Sequence, residues 1–136
     1  MQMRLAGGKR VVAEFKGFQI MTDQPVKSGG EGSAPAPFDL FLASMGTCAA
    51  YYVLDFCDAR GIASEGISVV QSWESDPVTH LVTSIRQELL LPEGFPAKYE
   101  QAIVRAASLC AVKKHLEHPP QIEIRVTRAA ARAPQG

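Results

Sequence analysis

The sequence predicts an α+β protein in which helices pack against mainly antiparallel sheet. Three observations carry that prediction: two short strand-like runs sharing a tight turn near the N-terminus, two long stretches with helical apolar spacing, and further strand-like runs between and after them. The 136 residues fit one domain, and 46% hydrophobic with 21% charged content is an ordinary globular balance. The domain is expected over residues 1–127, with a short flexible tail over 128–136.

Residues 11–15 and 18–21 read as strands, with Lys16-Gly17 as the turn between them. The following stretch, 23–37, is rich in Gly, Pro and Ser and reads as a long ordered loop or crossover. From Pro37 to Arg60 the pattern becomes helical: Phe38, Phe41, Met45, Cys48, Tyr52 and Phe56 recur at three- and four-residue steps. Pro37 suits the first turn and Gly61 the stop. Between Leu40 and Leu54 there is no charged residue, and a helix apolar all round is normally enclosed on every side. In so small a protein, that predicts a second subunit supplying part of the enclosure.

Residues 67–73 and 81–91 read as strands, the second with Leu81, Ile85, Leu89 and Leu91 on one face and Ser84, Arg86 and Glu88 on the other. A second helix is expected from just after Pro96 to about Leu116, with Ile103, Ala106 and Cys110 on its core face. His118-Pro119-Pro120 ends it. Residues 121–127 then alternate as a final strand, with Ile122, Ile124 and Val126 inward and Glu123 and Arg125 outward.

Lys+Arg and Asp+Glu balance at 14 each, so no net field favours nucleic acid or an anionic membrane as partner. No apolar run approaches the roughly 20 residues that span a bilayer. The opening MQMRLAGGKR lacks the apolar core of a secretory signal. The expected compartment is a reducing cytoplasm, where Cys48, Cys57 and Cys110 would not form a fixed disulfide scaffold.

Cys48 lies among small residues: Ala43, Ser44, Gly46, Ala49 and Ala50. They let another backbone, side chain or substrate approach the sulfur closely. An inert packing cysteine fits the same niche, and reactivity requires a nearby cation or donor to hold the thiolate. Cys110, on the second helix, is the possible redox partner. Cys57 follows Cys48 by nine residues, about 180° around a helix, and reads as a bystander. Cys110, His115 and His118 form C-x4-H-x2-H, which matches no strong zinc spacing, so no metal is expected. The glycines at 29, 30 and 32 lack the Lys-Ser/Thr of a phosphate loop, and no other cofactor motif is present.

The run Pro37-Phe-Asp-Leu-Phe-Leu-Ala-Ser-Met-Gly-Thr-Cys48, with Leu109-Cys110-Ala-Val-Lys-Lys further on, resembles the OsmC/Ohr family, the osmotically inducible and organic-hydroperoxide-resistance proteins. The likeness covers roughly residues 7–127. It implies the OsmC-like fold, antiparallel sheets wrapped around two long central helices, and an intertwined homodimer with sites at the subunit interface. It also implies thiol peroxidase chemistry: Cys48 as the attacking thiolate, Cys110 as its disulfide partner, and an external dithiol, of lipoyl type for example, as reductant. Arg10, with Lys9 behind it, is the positional candidate for the family's site arginine. The family's best-characterised peroxidases place a Glu immediately after the helix-opening proline, to orient that arginine. Here the position is Phe38 and the acid is Asp39, which is closer to the OsmC-like branch than to a typical Ohr. The alternative function is that of a non-peroxidatic dimer binding or sensing a hydrophobic or electrophilic small molecule.

Overall fold

The computed structural model describes residues 1–128. The N-terminal hairpin forms as expected. β2 (Val11–Phe15) and β3 (Phe18–Thr22) run antiparallel, with Phe15 opposite Phe18 across the Lys16-Gly17 turn. Both turn residues have positive φ, 49° and 81°, as a two-residue turn matched to strand twist requires. An unanticipated strand, β1 (Gln2–Leu5), pairs with β2 and completes a three-stranded sheet in the order β1-β2-β3. All four of its residues are exposed, so no inward face marked it in the sequence.

Beyond β3 the chain folds over Asp23, which is only 1% exposed. Its carboxylate accepts hydrogen bonds from the backbone N–H of Gln24 (2.8 Å), Glu31 (3.1 Å) and Ser33 (3.0 Å), and from the Ser33 hydroxyl (2.8 Å). A Cβ at Gly30 would collide with the Gln24 carbonyl, so this close approach needs glycine. The Ser33 N–H and hydroxyl, aided by the N–H groups of Gln24 and Glu31, overcome burial and bring Asp23 from 3.8 to about 2. A depressed carboxyl pKa stabilises the fold at pH values above its ordinary 3.8, and this is lost as pH falls toward about 2. Urea titrations between about pH 5 and pH 2 should therefore show the parent losing more stability than Asp23→Asn. Equal pH slopes would remove Asp23 from this role.

α1 (Pro37–Asp58) opens with proline in its first turn. Asp39 caps it: one carboxylate oxygen accepts the Ala36 N–H at 2.9 Å, while the Asp39 N–H donates to the Ala36 carbonyl at 2.9 Å. At the other end Gly61 takes φ +62°, and the Ile62 N–H returns to the Cys57 carbonyl at 3.0 Å. Leu42, Met45, Ala49, Val53, Phe56 and Cys57 are buried, the last three in a core with Phe95 and Ile103. The opposite side stays open, with Tyr51 and Leu54 at 59% and 48% exposure, and Phe38 in the first turn is 51% exposed. Enclosure on every side is thus not met within one protomer. By length and composition α1 could cross a membrane, contrary to the expectation that no apolar run is long enough. Its buried stripe is, however, the core of this fold, and core helices commonly have that composition.

β4 (Ser68–Ser75) and β5 (Val82–Leu90) form a separate antiparallel pair. Ile85, Leu89 and Leu91 are partly buried while Ser84, Arg86 and Glu88 are exposed, as the alternation predicts; Leu81, expected on the same face, precedes β5 and is 68% exposed. Gln71 ties the pair to α1: it donates to the Leu42 carbonyl at 2.9 Å and accepts from Gln87 at 2.9 Å. Gly46 leaves room for this bridge, since a Cβ there would sit 3.3 Å from the Gln71 amide oxygen.

Two expectations are corrected. The second long helix is broken into α2 (Glu100–Ala107) and α3 (Ala111–Glu117). Both the N–H and the hydroxyl of Ser108 bond the Val104 carbonyl, the Leu109 N–H reaches only Ala106, and Cys110 turns to ψ 119°. The last turn tightens and stops. Residues 121–127, expected as a strand, are not in a strand, and Ile122, Ile124 and Val126 are 86%, 91% and 92% exposed. Alternation specifies a face, but a strand also needs an edge to pair with, and among the described residues this segment has none. The tail expected over 128–136 lies, from 129 onward, outside the described residues.

Candidate thiol site

The break before α3 aims Cys110. Cys110 is the residue that caps α3, is 2% exposed, and accepts the Lys113 N–H on its sulfur at 3.4 Å. Its thiol donates to the Met45 carbonyl of α1 at 3.8 Å. Met45 precedes Cys48 by three residues, nearly one helical turn, so this contact sets the Cys110 sulfur beside Cys48. The Cys110 thiol and the N–H groups of Val112 and Ala111 lie near enough to the Cys48 sulfur to bear on its ionisation. Cys48 is only half-buried, so the sulfur receiving the most donors is also the more accessible of the two.

Electrostatics separate the pair. Burial pushes the Cys48 thiol up, but the Val112 N–H, the Cys110 thiol and the Ala111 N–H together outweigh it and leave Cys48 below its ordinary value. Burial pushes Cys110 up; the Lys113 N–H opposes this, but the neighbouring Cys48 adds to it and Cys110 stays above its ordinary value. Of the two, Cys48 is therefore the more readily ionised. Cys57 is fully buried in the core, and burial together with the Asp58 charge raises its thiol. Iodoacetamide alkylation should accordingly label Cys48 first, with a pH midpoint below that of an ordinary thiol, and Cys110→Ala should move that midpoint up. Labelling of Cys57 before Cys48 in the folded protein would refute the assignment.

The other candidates lie apart from each other. The Arg10 guanidinium pairs with Glu31, Nη1 to Oε2 at 2.8 Å. Asp39 is occupied at the helix cap, and no ion pair joins it to Arg10. The Lys9 side chain lies over Gly29. His115 Nδ1 sits 2.7 Å from the Ala111 carbonyl, while Cys110 points inward, so the Cys-His-His spacing converges on no common point. A cavity of about 300 Å³ is lined by Met45, Ala49, Ile85, Leu89, Gln87 and Lys113 among others, and neither Cys48 nor Cys110 lines it.

Sequence reasoning missed Glu31 and the backbone donors of Ala111 and Val112. The donors follow from the helix break, whose only signal was Ser108, a residue able to compete for a carbonyl of the preceding turn. Glu31 sat within the Gly-, Pro- and Ser-rich loop of residues 23–37, and the fold of that loop depends on Asp23.

Comparison with known proteins agrees with this architecture. A 2.15 Å crystal structure from Psychrobacter arcticus, of a protein described as an osmotic stress induced and detoxification response protein, superposes with TM-score 0.68 at 23% identity, covering 83% of this chain and 84% of that one. A protein from Legionella pneumophila described as the organic hydroperoxide resistance protein OsmC gives TM-score 0.54 at 19% identity, with 85% of each chain covered. One from Vibrio cholerae described as an organic hydroperoxide resistance protein, with captopril in one of its active sites, gives TM-score 0.55 at 17% identity over 88% of this chain and 86% of that one. No curated protein matches. The sequence model of the family described as OsmC-like protein matches residues 30–125, and the chain belongs to that family.

Proposed function

We propose that the protein is a thiol-dependent peroxidase that reduces organic hydroperoxides to alcohols and works as a homodimer in a reducing cytoplasm. The observation that carries this reading is the thiol pair: a half-buried Cys48 whose thiol is shifted down, beside a buried Cys110 whose thiol is shifted up. The names of the hydroperoxide-resistance relatives point the same way.

In the proposed cycle the Cys48 thiolate attacks the distal oxygen of R–O–OH. The O–O bond breaks, Cys48 becomes a sulfenic acid, and the departing alkoxide takes a proton to leave as the alcohol. The Cys110 thiol then attacks the sulfenic sulfur, forming the Cys48–Cys110 disulfide and expelling water. An external dithiol, by two exchange steps, returns both thiols and is itself oxidised to a disulfide. The N–H groups of Ala111 and Val112 favour the thiolate before attack. Arg10 is the group proposed to face the developing oxyanion, where a fixed cation is worth most.

A second reading, a dimer that binds or senses an electrophilic or hydrophobic molecule without turnover, is favoured by one observation. Asp39, the acid nearest the family's arginine-orienting position, is spent on the helix cap.

The test is hydroperoxide consumption by purified protein with cumene hydroperoxide and dihydrolipoamide, and with hydrogen peroxide in parallel. Turnover of the organic substrate, faster than of hydrogen peroxide, is expected. No consumption of either would leave the second reading.

A further inference from the structure

We infer that α3 is a redox-responsive helix, ordered while Cys110 is a thiol and loosened when Cys110 joins Cys48 in a disulfide; this rests on the thiol pairing proposed above. α3 has seven residues, and none of them is buried. A helix so short does not hold itself in water. Its first turn carries no acidic residue to meet the helix dipole. The Lys113–Glu117 pair, at 3.7 Å with side chains 49% and 53% exposed, adds little. α3 is therefore held mainly at its N-terminus, by Cys110. The Cys110 sulfur accepts the Lys113 N–H at 3.4 Å and so meets one of the free amides of the first turn. The same thiol donates its hydrogen to the Met45 carbonyl at 3.8 Å, which ties the cap to α1. The anchor of this helix is thus also the reactive group.

Oxidation undoes both contacts. Disulfide formation takes one hydrogen from each sulfur, so Cys110 has nothing left to donate to Met45. Its sulfur must also come within about 2 Å of the Cys48 sulfur, far closer than two thiols approach without bonding. That movement draws it off a Lys113 amide already held at the long distance of 3.4 Å. Sulfur is a weak acceptor to begin with, so a small displacement suffices. In the proposed cycle the oxidant is the organic hydroperoxide, acting through the Cys48 sulfenic acid. A diazene such as diamide reaches the same state. Its N=N bond takes up two electrons and two protons to become a hydrazine, while Cys48 and Cys110 give them up and form the S–S bond. The order of residues 111–117 then follows the oxidation state of the pair.

The experiment is hydrogen–deuterium exchange on the full chain, fully reduced and after diamide, with peptide mapping to identify the disulfide formed. In the Cys48–Cys110 disulfide form, the amides of residues 111–117 should exchange roughly five- to thirtyfold faster, the range that loss of a helix cap brings. Amides of α1 near Val53 and Phe56, in the core, should keep their rates. Trypsin should cut after Lys113 and Lys114 faster by a similar factor. Reduced Cys110→Ala should exchange at the oxidised rate and ignore diamide. Cys110→Ser, whose hydroxyl can cap and donate in place of the thiol, should keep the reduced rate and ignore diamide as well. A mapped Cys48–Cys110 disulfide with unchanged exchange in residues 111–117 would overturn this inference alone, as would Cys110→Ala as protected as the reduced parent. If neither diamide nor cumene hydroperoxide yields that disulfide, the thiol pairing fails and this inference fails with it.

Discussion

Cys48→Ser is expected to reduce organic hydroperoxide consumption to background, a loss on the order of a thousandfold or more, while the protein keeps its fold. The site explains the size of the effect. The Ala111 and Val112 N–H groups and the Cys110 thiol can stabilise a thiolate, whose ordinary pKa they need to move only modestly. The same donors cannot ionise a serine hydroxyl, whose proton is held far more tightly, so the attacking anion disappears. Packing should survive, because Cys48 is half-buried in a run of small residues and oxygen is smaller than sulfur. Cys110→Ser separates the two halves of the cycle. One equivalent of hydroperoxide should still be consumed, and the Cys48 sulfenic acid should then persist long enough for dimedone to trap it. Full turnover by Cys48→Ser would move the nucleophile elsewhere; a dimedone adduct on Cys110 instead of Cys48 would reverse the two roles.

The legible and illegible parts of this protein divide along a physical line. Features set by local pattern could be read: the Lys16-Gly17 hairpin, the span of α1 from Pro37 to its stop before Gly61, and the inward face of β5. The proposed pairing of Cys48 with Cys110 came from family resemblance rather than spacing. Features that depend on a distant partner could not. The break at Ser108–Cys110 is a contest between a hydroxyl and the helix ladder for one carbonyl, and apolar periodicity runs straight through it. That break is what aims the α3 donors at Cys48. The Arg10–Glu31 pair joins residues 21 positions apart through a loop that only the buried Asp23 explains. Asp39 shows the converse error: proximity to a family position suggested chemistry, while its place three residues after Ala36 fitted a cap.

The second large effect concerns assembly, where Ile124→Asp is expected to convert a dimer to monomers. Ile122, Ile124 and Val126 alternate with Glu123 and Arg125 and are 86%, 91% and 92% exposed, a pattern that alternation prepares for burial. Elsewhere on the protomer, α1 leaves Phe38, Tyr51 and Leu54 uncovered, and an apolar depression over the first sheet is lined by Met1, Met3, Val11, Ala13, Ile20 and Leu40. A monomer seldom leaves this much large apolar surface in water. A second copy would supply both the edge that residues 121–127 lack and a cover for the open side of α1. Placing a carboxylate at Ile124 should then cost about 2–4 kcal/mol of association, roughly 30- to 1,000-fold in Kd. Light scattering after size exclusion across a dilution series reads the change directly. Glu123→Gln, on the opposite side of the same segment, should leave the dimer unaltered. Hydroperoxide turnover should fall with dimer content in Ile124→Asp if each site draws on two subunits, and should stay constant per chain if Cys48 and Cys110 suffice by themselves. A dimer of unchanged Kd in Ile124→Asp would take residues 121–127 out of the interface.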